Sequence, residues 1–412
     1  MFLRLAFKSL AHRKESVLLT ILAMSVSIFV LLGVEHIRTE TKESFNSAAS
    51  GVDLIVGART SSLNLLLYSV FRLGSPAHNI NWQTYQAIAD NPEIAWAIPM
   101  SLGDSHKGYK VMGTTPDYFI HFSFGEKRRL TFSEGRPFSD LFDVVIGSEV
   151  ARKLNYSVGD NIVLAHGLGK VSFTLHEDRP FNIVGILAAT GTPVDQTVHV
   201  SLEAIEAIHT DSQQTVTTLG SQHSHDPLES SALQPKSITA IMLSLNSRIA
   251  TFRVQRDINN YRKEPLSAIL PGVALAELWQ VMGILENTLL LVSGLVLIAA
   301  LLGLSAMTLA SVRERTQEVL LLRVIGASPA FLFLLIQIEA LLMSLLSIVI
   351  GVSGLSIGLR LGSDFLSSRF ALQVNHAVLS ENNLLLLLLI LGATIIAAAI
   401  PSFLAYKNAQ VS

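Results

Sequence analysis

The stretch NTLLLVSGLVLIAALLGLSAMTLASVRERTQEVLLLRVIGASPAFLFLLIQIEALLMSLLSIVIGVSGLSIGL, residues 287–359, decides the architecture. Asn287 to Val312 carries no charge, Pro329 to Leu359 carries Glu339 alone, and between them lies the charged RERTQEVLLLRVIGAS, Arg313 to Ser328. About 20 apolar residues in a helix cross a hydrocarbon core of roughly 30 Å. Only a helix or a closed barrel satisfies its backbone polar groups there without water. The stretch therefore predicts two membrane spans joined by a short charged loop.

Two more charge-free runs of spanning length lie outward of it, Ser16 to Val34 and Asn382 to Tyr406. The 412 residues are 50% hydrophobic and 15% charged, with a mean hydropathy of +0.47, which excludes an ordinary soluble protein. A net charge of -2 gives no basic footprint for nucleic acid. The absence of cysteine removes disulfides, thiolate metal sites and cysteine nucleophiles.

The flank Met1 to Glu15 holds Arg4, Lys8, Arg13 and Lys14, but the apolar run after it is long and ends in GVEHIRTE without a small-residue cleavage site. An uncleaved anchor is expected. Basic residues stay in the cytoplasm, and Arg313, Arg315 and Arg323 join the N-terminal group in assigning both termini and the 313–328 loop to that side. The predicted order is a cytoplasmic amphipathic helix 1–15, span 16–34, an extracytoplasmic domain 35–286, span 287–312, a cytoplasmic helix 313–328, span 329–359, a short outer loop 360–381, span 382–406 and a cytoplasmic tail 407–412. The fold class is an α-helical membrane protein of four transmembrane helices, with a large α+β extracytoplasmic domain inserted between spans one and two.

Within that domain, DVVIG (143–147), NIVLA (161–165), FNIVGIL (181–187) and TVHVSL (197–202) read as strands. SEVARKL reads as a helix capped by Ser148, and LEAIEAI as one capped by Ser201, since a cap hydroxyl accepts from an otherwise orphan N–H. LNLLLYSVF (63–71) is too short to span and reads as part of a soluble core, a membrane-surface element being the competing reading. Residues 36–50 and 275–286 look helical and prolong the first two spans as a stalk. The segment 209–237, rich in Ser, Thr, Gln and His, reads as a flexible loop.

The 313–328 loop forms a short helix with Arg315 and Glu318 on one face and Val319, Leu322 and Ile325 on another. Gly326 ends it, and Ser328 with Pro329 caps and starts the next span. Such a ridge either lies on the membrane surface or docks in a partner's groove.

At this point the residues carry a resemblance. Arg313 to Gly351 resembles the hallmark of the FtsX-like permease family (MacB/LolC/FtsX type), a charged start, E-[IV]-x-[LV]-L-R-x-[IL]-G-A, then a span containing E-A-L. AAAIPSFLAYKNAQ, with Pro401, resembles that family's closing span. GRPFSDLFDVVIGSEVARKLNYSVGDNIVLA resembles its outer core domain, and LRLAFKSLAHRKESVLLTIL its lead-in helix and first span.

The resemblance implies a bacterial inner-membrane protein whose two permease chains, identical or paralogous, sit over two ATPase subunits. Those subunits use ATP with magnesium, and an extracytoplasmic adaptor or lipoprotein is a further expected partner alongside membrane lipids. The helix matching Arg313, Glu314, Arg315, Glu318, Leu322, Arg323, Gly326 and Ala327 would then couple ATP hydrolysis to the outer domain, which exports or extracts a peptide, lipid or lipoprotein. A non-transporting regulator of an outer partner, and a zinc-linked envelope system, are the alternatives.

No ATPase motif belongs to this chain. HGLGKVS, 166–172, lacks the glycine and the hydroxyl of a phosphate loop, having Leu164 and Val171 there. His223, His225 and Asp226 have the residue types and spacing of a zinc or copper set, against the competing reading of a solvated loop. In the spans, Gln337 and Glu339 should face the bundle, and Gly351, Gly354 and Gly358 form a small-residue strip for close helix packing. No triad, carboxylate pair or metalloprotease helix supports hydrolytic catalysis.

Overall fold

A computed structural model describes residues 6, 9–11, 13–76, 78–166, 180–208, 234–314, 328–370 and 378–411. The proposed zinc set, the coupling positions Arg315 to Ala327 and the decoy segment after His166 lie outside the described residues. Among the described residues four helices are long and apolar enough to cross a membrane: α1 (Lys14–Ala48), α2 (Pro271–Glu314), α3 (Pro329–Phe370) and α4 (Glu381–Val411). At 1.5 Å per residue, α1 and α2 are about 52 and 66 Å long, well beyond a bilayer core.

Two compact units form. One gathers residues up to Thr41, Met282–Phe365 and the chain from Val374; the other gathers Lys42–Val281 and Leu366–Gln373. The helical unit packs around Met24, Ile28 and Leu32 of α1, Leu304 of α2, Ala340 of α3 and Ala398 of α4, all fully buried. Leucines that line its outside, such as Leu19, Leu302 and Leu388, are exposed, as lipid-facing positions require.

The outer unit is a mixed α/β domain on an 11-stranded sheet. Its main path uses β1 (Leu54–Ala58), β2 (Ile94–His106), β3 (Tyr109–Thr114), β4 (Phe132–Gly135), β5 (Asp143–Ile146), β6 (Phe181–Leu187), β7 (Thr197–Ser201), β8 (Ala240–Leu245) and β9 (Leu266–Ile269), ordered β9-β1-β8-β2-β3-β7-β5-β6-β4. Most neighbours are antiparallel, but β7 runs parallel to β3 and β6 parallel to β5. The β2–β3 hairpin closes through Lys107 at φ 47° and Gly108 at φ 91°, the left-handed pair whose twist suits adjacent strands.

Two local expectations change. NIVLA is not one strand: Asn161–Ile162 pairs with β6, and Ala165–His166 pairs with β2. Between them the Val163 carbonyl is taken by His106 Nδ1 at 2.7 Å, so the ladder breaks there. The helix Ser148–Leu154 is capped by Gly147, with no side-chain cap bond. A Cβ at Gly147 would lie 2.4 Å from the Val194 and Asp195 carbonyls, so only glycine fits, and the Ser148 hydroxyl is bonded to Asp195 instead. The Ser201 cap forms, its Oγ accepting from Ala204 N–H at 3.1 Å. The short apolar run 63–71 forms most of the helix Ser62–Ser69 and its C-cap Val70, and packs Leu65, Leu66 and Tyr68 into the core.

Candidate functional site

At the inner end of the helical unit, the N-terminal segment is tied to α2. The Arg13 guanidinium bonds the Ser311 hydroxyl and lies 4.0 Å from the Glu314 carboxylate. Arg313 and Glu314 are exposed at the end of α2. The chain returns at Ser328, whose Oγ accepts from Phe331 N–H at 3.3 Å, and Pro329 follows as the first residue of α3. That cap and first-turn proline set where α3 starts.

Hydroxyls hold the spans together. Ser347 donates to the Ile21 carbonyl of α1 at 3.2 Å, and Ser344 meets Thr394 of α4 at 3.1 Å. Pro401 sits inside α4 and has no N–H for the Ala397 carbonyl four residues earlier. Ser305 of α2 supplies the missing donor, bonding Ala397 O at 2.8 Å. The glycine strip of α3 lies on α1: Gly351 lies against Ser25 and Ile28, and Gly354 and Gly358 against Phe29. Glu339 and Gln337 are buried, and Gln337 Nε2 reaches the Ile395 carbonyl at 3.4 Å.

Where α1 and α2 emerge beyond the spans they are clasped by charge. Arg38 donates to Glu35 Oε2 at 3.0 Å within α1 and to Glu286 Oε2 at 2.9 Å on α2. Their outer ends are anchored in the outer unit's core, where Phe45 of α1 stacks on Phe71 at 4.3 Å and meets Trp279 of α2 at 5.5 Å. Sequence reasoning missed both the clasp and the aromatic anchor. The only available signal was the presence of Glu35, Arg38 and Glu286 just outside the apolar runs.

In the outer unit a cleft of about 470 Å³ runs along the edge strand β9, with Arg59, Gln255, Asn259, Val273 and Glu277 in its wall. The Ala268 backbone beside it is already satisfied by the Asn259 side chain, which accepts from its N–H at 2.7 Å. Among the described residues no group of three or more His, Asp or Glu could hold a metal ion. His106 and His199 are buried core residues. His106 bonds Val163 O and, at 3.0 Å, the Tyr156 hydroxyl. Burial, helped by Arg72, drives His199 down to about 3, so it is neutral.

Asp143 is held below the usual carboxylate range. Burial pushes it up, but Ser139 N–H, Asp140 N–H and the Arg136 guanidinium together outweigh that. For Asp195 burial prevails over bonds from Thr190, Gly191 and Ser148, and its carboxyl is pushed up.

Two family models match the chain: the MacB-like periplasmic core domain over residues 17–261, and the FtsX-like permease C-terminal domain over residues 290–409. Among solved structures, the periplasmic region of MacB from Actinobacillus actinomycetemcomitans is similar at 11% identity and a TM-score of 0.34, over 56% of this chain and 94% of that one. The extracellular domain of the noncanonic ABC-type transporter YknZ from Gram-positive bacteria is similar at 10% identity and a TM-score of 0.30, over 53% of this chain and 99% of that one. No curated protein sequence matches.

Proposed function

Because the chain belongs to the FtsX-like permease family with a MacB-like periplasmic core domain, we propose that it is the permease subunit of an ABC-type complex whose ATP is hydrolysed by a separate subunit. Its work is to carry the ATPase cycle from the cytoplasmic side to the outer domain, where a peptide, lipid or lipoprotein substrate is exported or extracted. The observation that carries this reading is the pair of over-length helices. Each of α1 and α2 is continuous from a membrane span into residues of the outer domain, and Arg38 with Glu35 and Glu286 clasps the two together. A continuous helix transmits displacement along its axis with little loss, whereas a loop at the same place would absorb it.

In this scheme Glu318, Leu322, Arg323 and Gly326 meet the ATPase, with Arg313, Glu314, Arg315 and Ala327 flanking them. Leu322 supplies the apolar ridge, the charged residues the register and Gly326 the exit turn. A second permease chain completes the complex. The chain itself contributes no nucleotide site, and ATP with magnesium belongs to the partner.

The test is affinity purification of the tagged full-length protein from native membranes under mild extraction, beside a Leu322→Asp variant. A nucleotide-binding subunit that accompanies the parent and is lost from the variant supports the reading. Purification of the parent without any ATPase overturns it, leaving residues 313–328 as a membrane-surface segment. A cell-wall hydrolase found in stable association would turn the same machinery into a regulator rather than a transporter.

A further inference from the structure

Arg72 is 8% exposed, and a guanidinium cannot shed its charge in a protein. Its Nη1 bonds the Ser69 carbonyl and lies 3.8 Å from the Met100 sulfur, and its Nη2 is 2.8 Å from the Met112 sulfur. The Tyr118 phenol and the His199 imidazole are its other neighbours. Tyr118 and His199 stack at 5.4 Å and are completely buried. None of these groups is an anion: burial pushes the Tyr118 phenol up to about 12, helped by the Asp195 carboxyl, and His199 down to about 3, so both are neutral, and Asp195 is not among the groups that act on Arg72 itself. The Tyr118 hydroxyl has only the Arg72 guanidinium beside it, while Arg72 Nε and His199 Nε2 lack a hydrogen-bond partner among the described residues.

A buried cation left without a counter-charge is among the most expensive features a fold can carry. The cluster thus needs negative charge, and the surroundings deepen the need. A cavity of about 20 Å³ adjoins Arg72, lined also by Tyr68, Ser75, Leu102, Gly103 and Lys110. Lys110 adds a second cation. That volume is close to one water-sized sphere, so it has room for a monatomic ion beside the guanidinium.

We propose that this cavity in the outer domain is a binding site for a small inorganic monoanion, with chloride the physiological case, held by Arg72 with Lys110 beside it. The site is built from β2, β3 and the turn after the helix Ser62–Ser69. It therefore ties the core around Met100, Met112 and Tyr118 to the solvent's halide content, independently of how the spans are driven.

The experiment is thermal unfolding of the full-length protein in detergent at constant ionic strength, with sodium gluconate replaced stepwise by sodium chloride or bromide. Sodium acetate and sulfate serve as controls. The parent is expected to gain about 3 °C, saturably, with halide but not with sulfate. Arg72→Met is expected to show no halide response and to melt no lower than the parent in gluconate, because it removes the uncompensated charge together with its ligand. Bromide-soaked crystals of the parent are expected to show an anomalous peak at Arg72. Equal melting of the parent in gluconate and chloride, an undiminished halide response in Arg72→Met, or a stronger response to acetate or sulfate overturns the proposal. If the variant does not fold, the bromide peak decides: its presence supports the site and its absence overturns it.

Discussion

At the scale of single residues, the membrane unit is shaped by what a missing donor or a missing Cβ demands. Pro401 leaves the Ala397 carbonyl without its helical N–H, and Ser305 fills the place. Ser305→Ala is expected to cost about 1 kcal/mol, and to cost nothing in a Pro401→Ala background, where the helix can supply its own donor. A double-mutant cycle of melting temperatures in detergent checks this, and additive effects would separate the two residues. In the outer unit, Asp143 has a folded-state pKa held low. Its contribution is therefore present above the unfolded aspartate value near 3.9 and is lost as pH falls through the lower folded value. Asp143→Asn should lower stability at pH 7 by about 1–3 kcal/mol. The gap to the parent should close as melts are taken toward acid. A gap that widens toward acid would contradict the assignment. The sequence revealed Asp143 only as the start of a strand, because the three donors that surround it come from a turn whose geometry no periodicity reports.

Among elements, the contacts between helices decide which small residues matter. A Cβ at Gly351 would meet the Ser25 carbonyl at 3.0 Å and Ile28 at 3.1 Å, whereas at Gly354 the nearest atom is Phe29 at an ordinary 3.8 Å. Gly351→Val should therefore cost about 1–3 kcal/mol through overpacking of α3 on α1, while Gly354→Ala should be tolerated. Size-exclusion profiles and melting temperatures of the two variants distinguish this from a uniform effect of the strip. The motif was visible as spacing in one helix, but its partner was not, since a hydrophobic pattern names the face and never the neighbour. The same holds for the stalk. Charge reversal in Arg38→Glu should weaken folding, and Glu286→Arg added to it should recover part of the loss, on the order of 1 kcal/mol for a partly buried pair. No recovery would mean that the clasp contributes nothing to joining α1 and α2. That Arg38 chooses Glu286 across 248 positions of sequence could not be read from composition, because the pairing exists only once both helices are placed.

For the whole molecule, topology is the property that function depends on most. The chain has no cysteine, so single reporters can be placed without background. Asp257→Cys in the outer domain is expected to react with a membrane-impermeant maleimide on intact spheroplasts, and Lys407→Cys only after permeabilisation; the reverse pattern would invert the chain and place residues 313–328 beyond reach of an ATPase. Hydropathy already specified four spans and one long insertion, because the bilayer imposes a length that acts residue by residue. The strands and helices of the insertion were legible where alternation or a cap was clean, as at Phe181–Leu187 and Ser201. Their order in the sheet, with parallel pairs beside antiparallel ones, was not. What the sequence determined by itself were the local and solvent-imposed features: spans, stalk helices, the Ser201 cap and the class of protein. What only the tertiary structure decided were the encounters between distant residues, Ser305 with Ala397, Arg38 with Glu286, Phe45 with Trp279 and Arg72 with its neutral neighbours. Those depend on packing of surfaces whose complementarity is a property of the folded chain and of no single stretch of it.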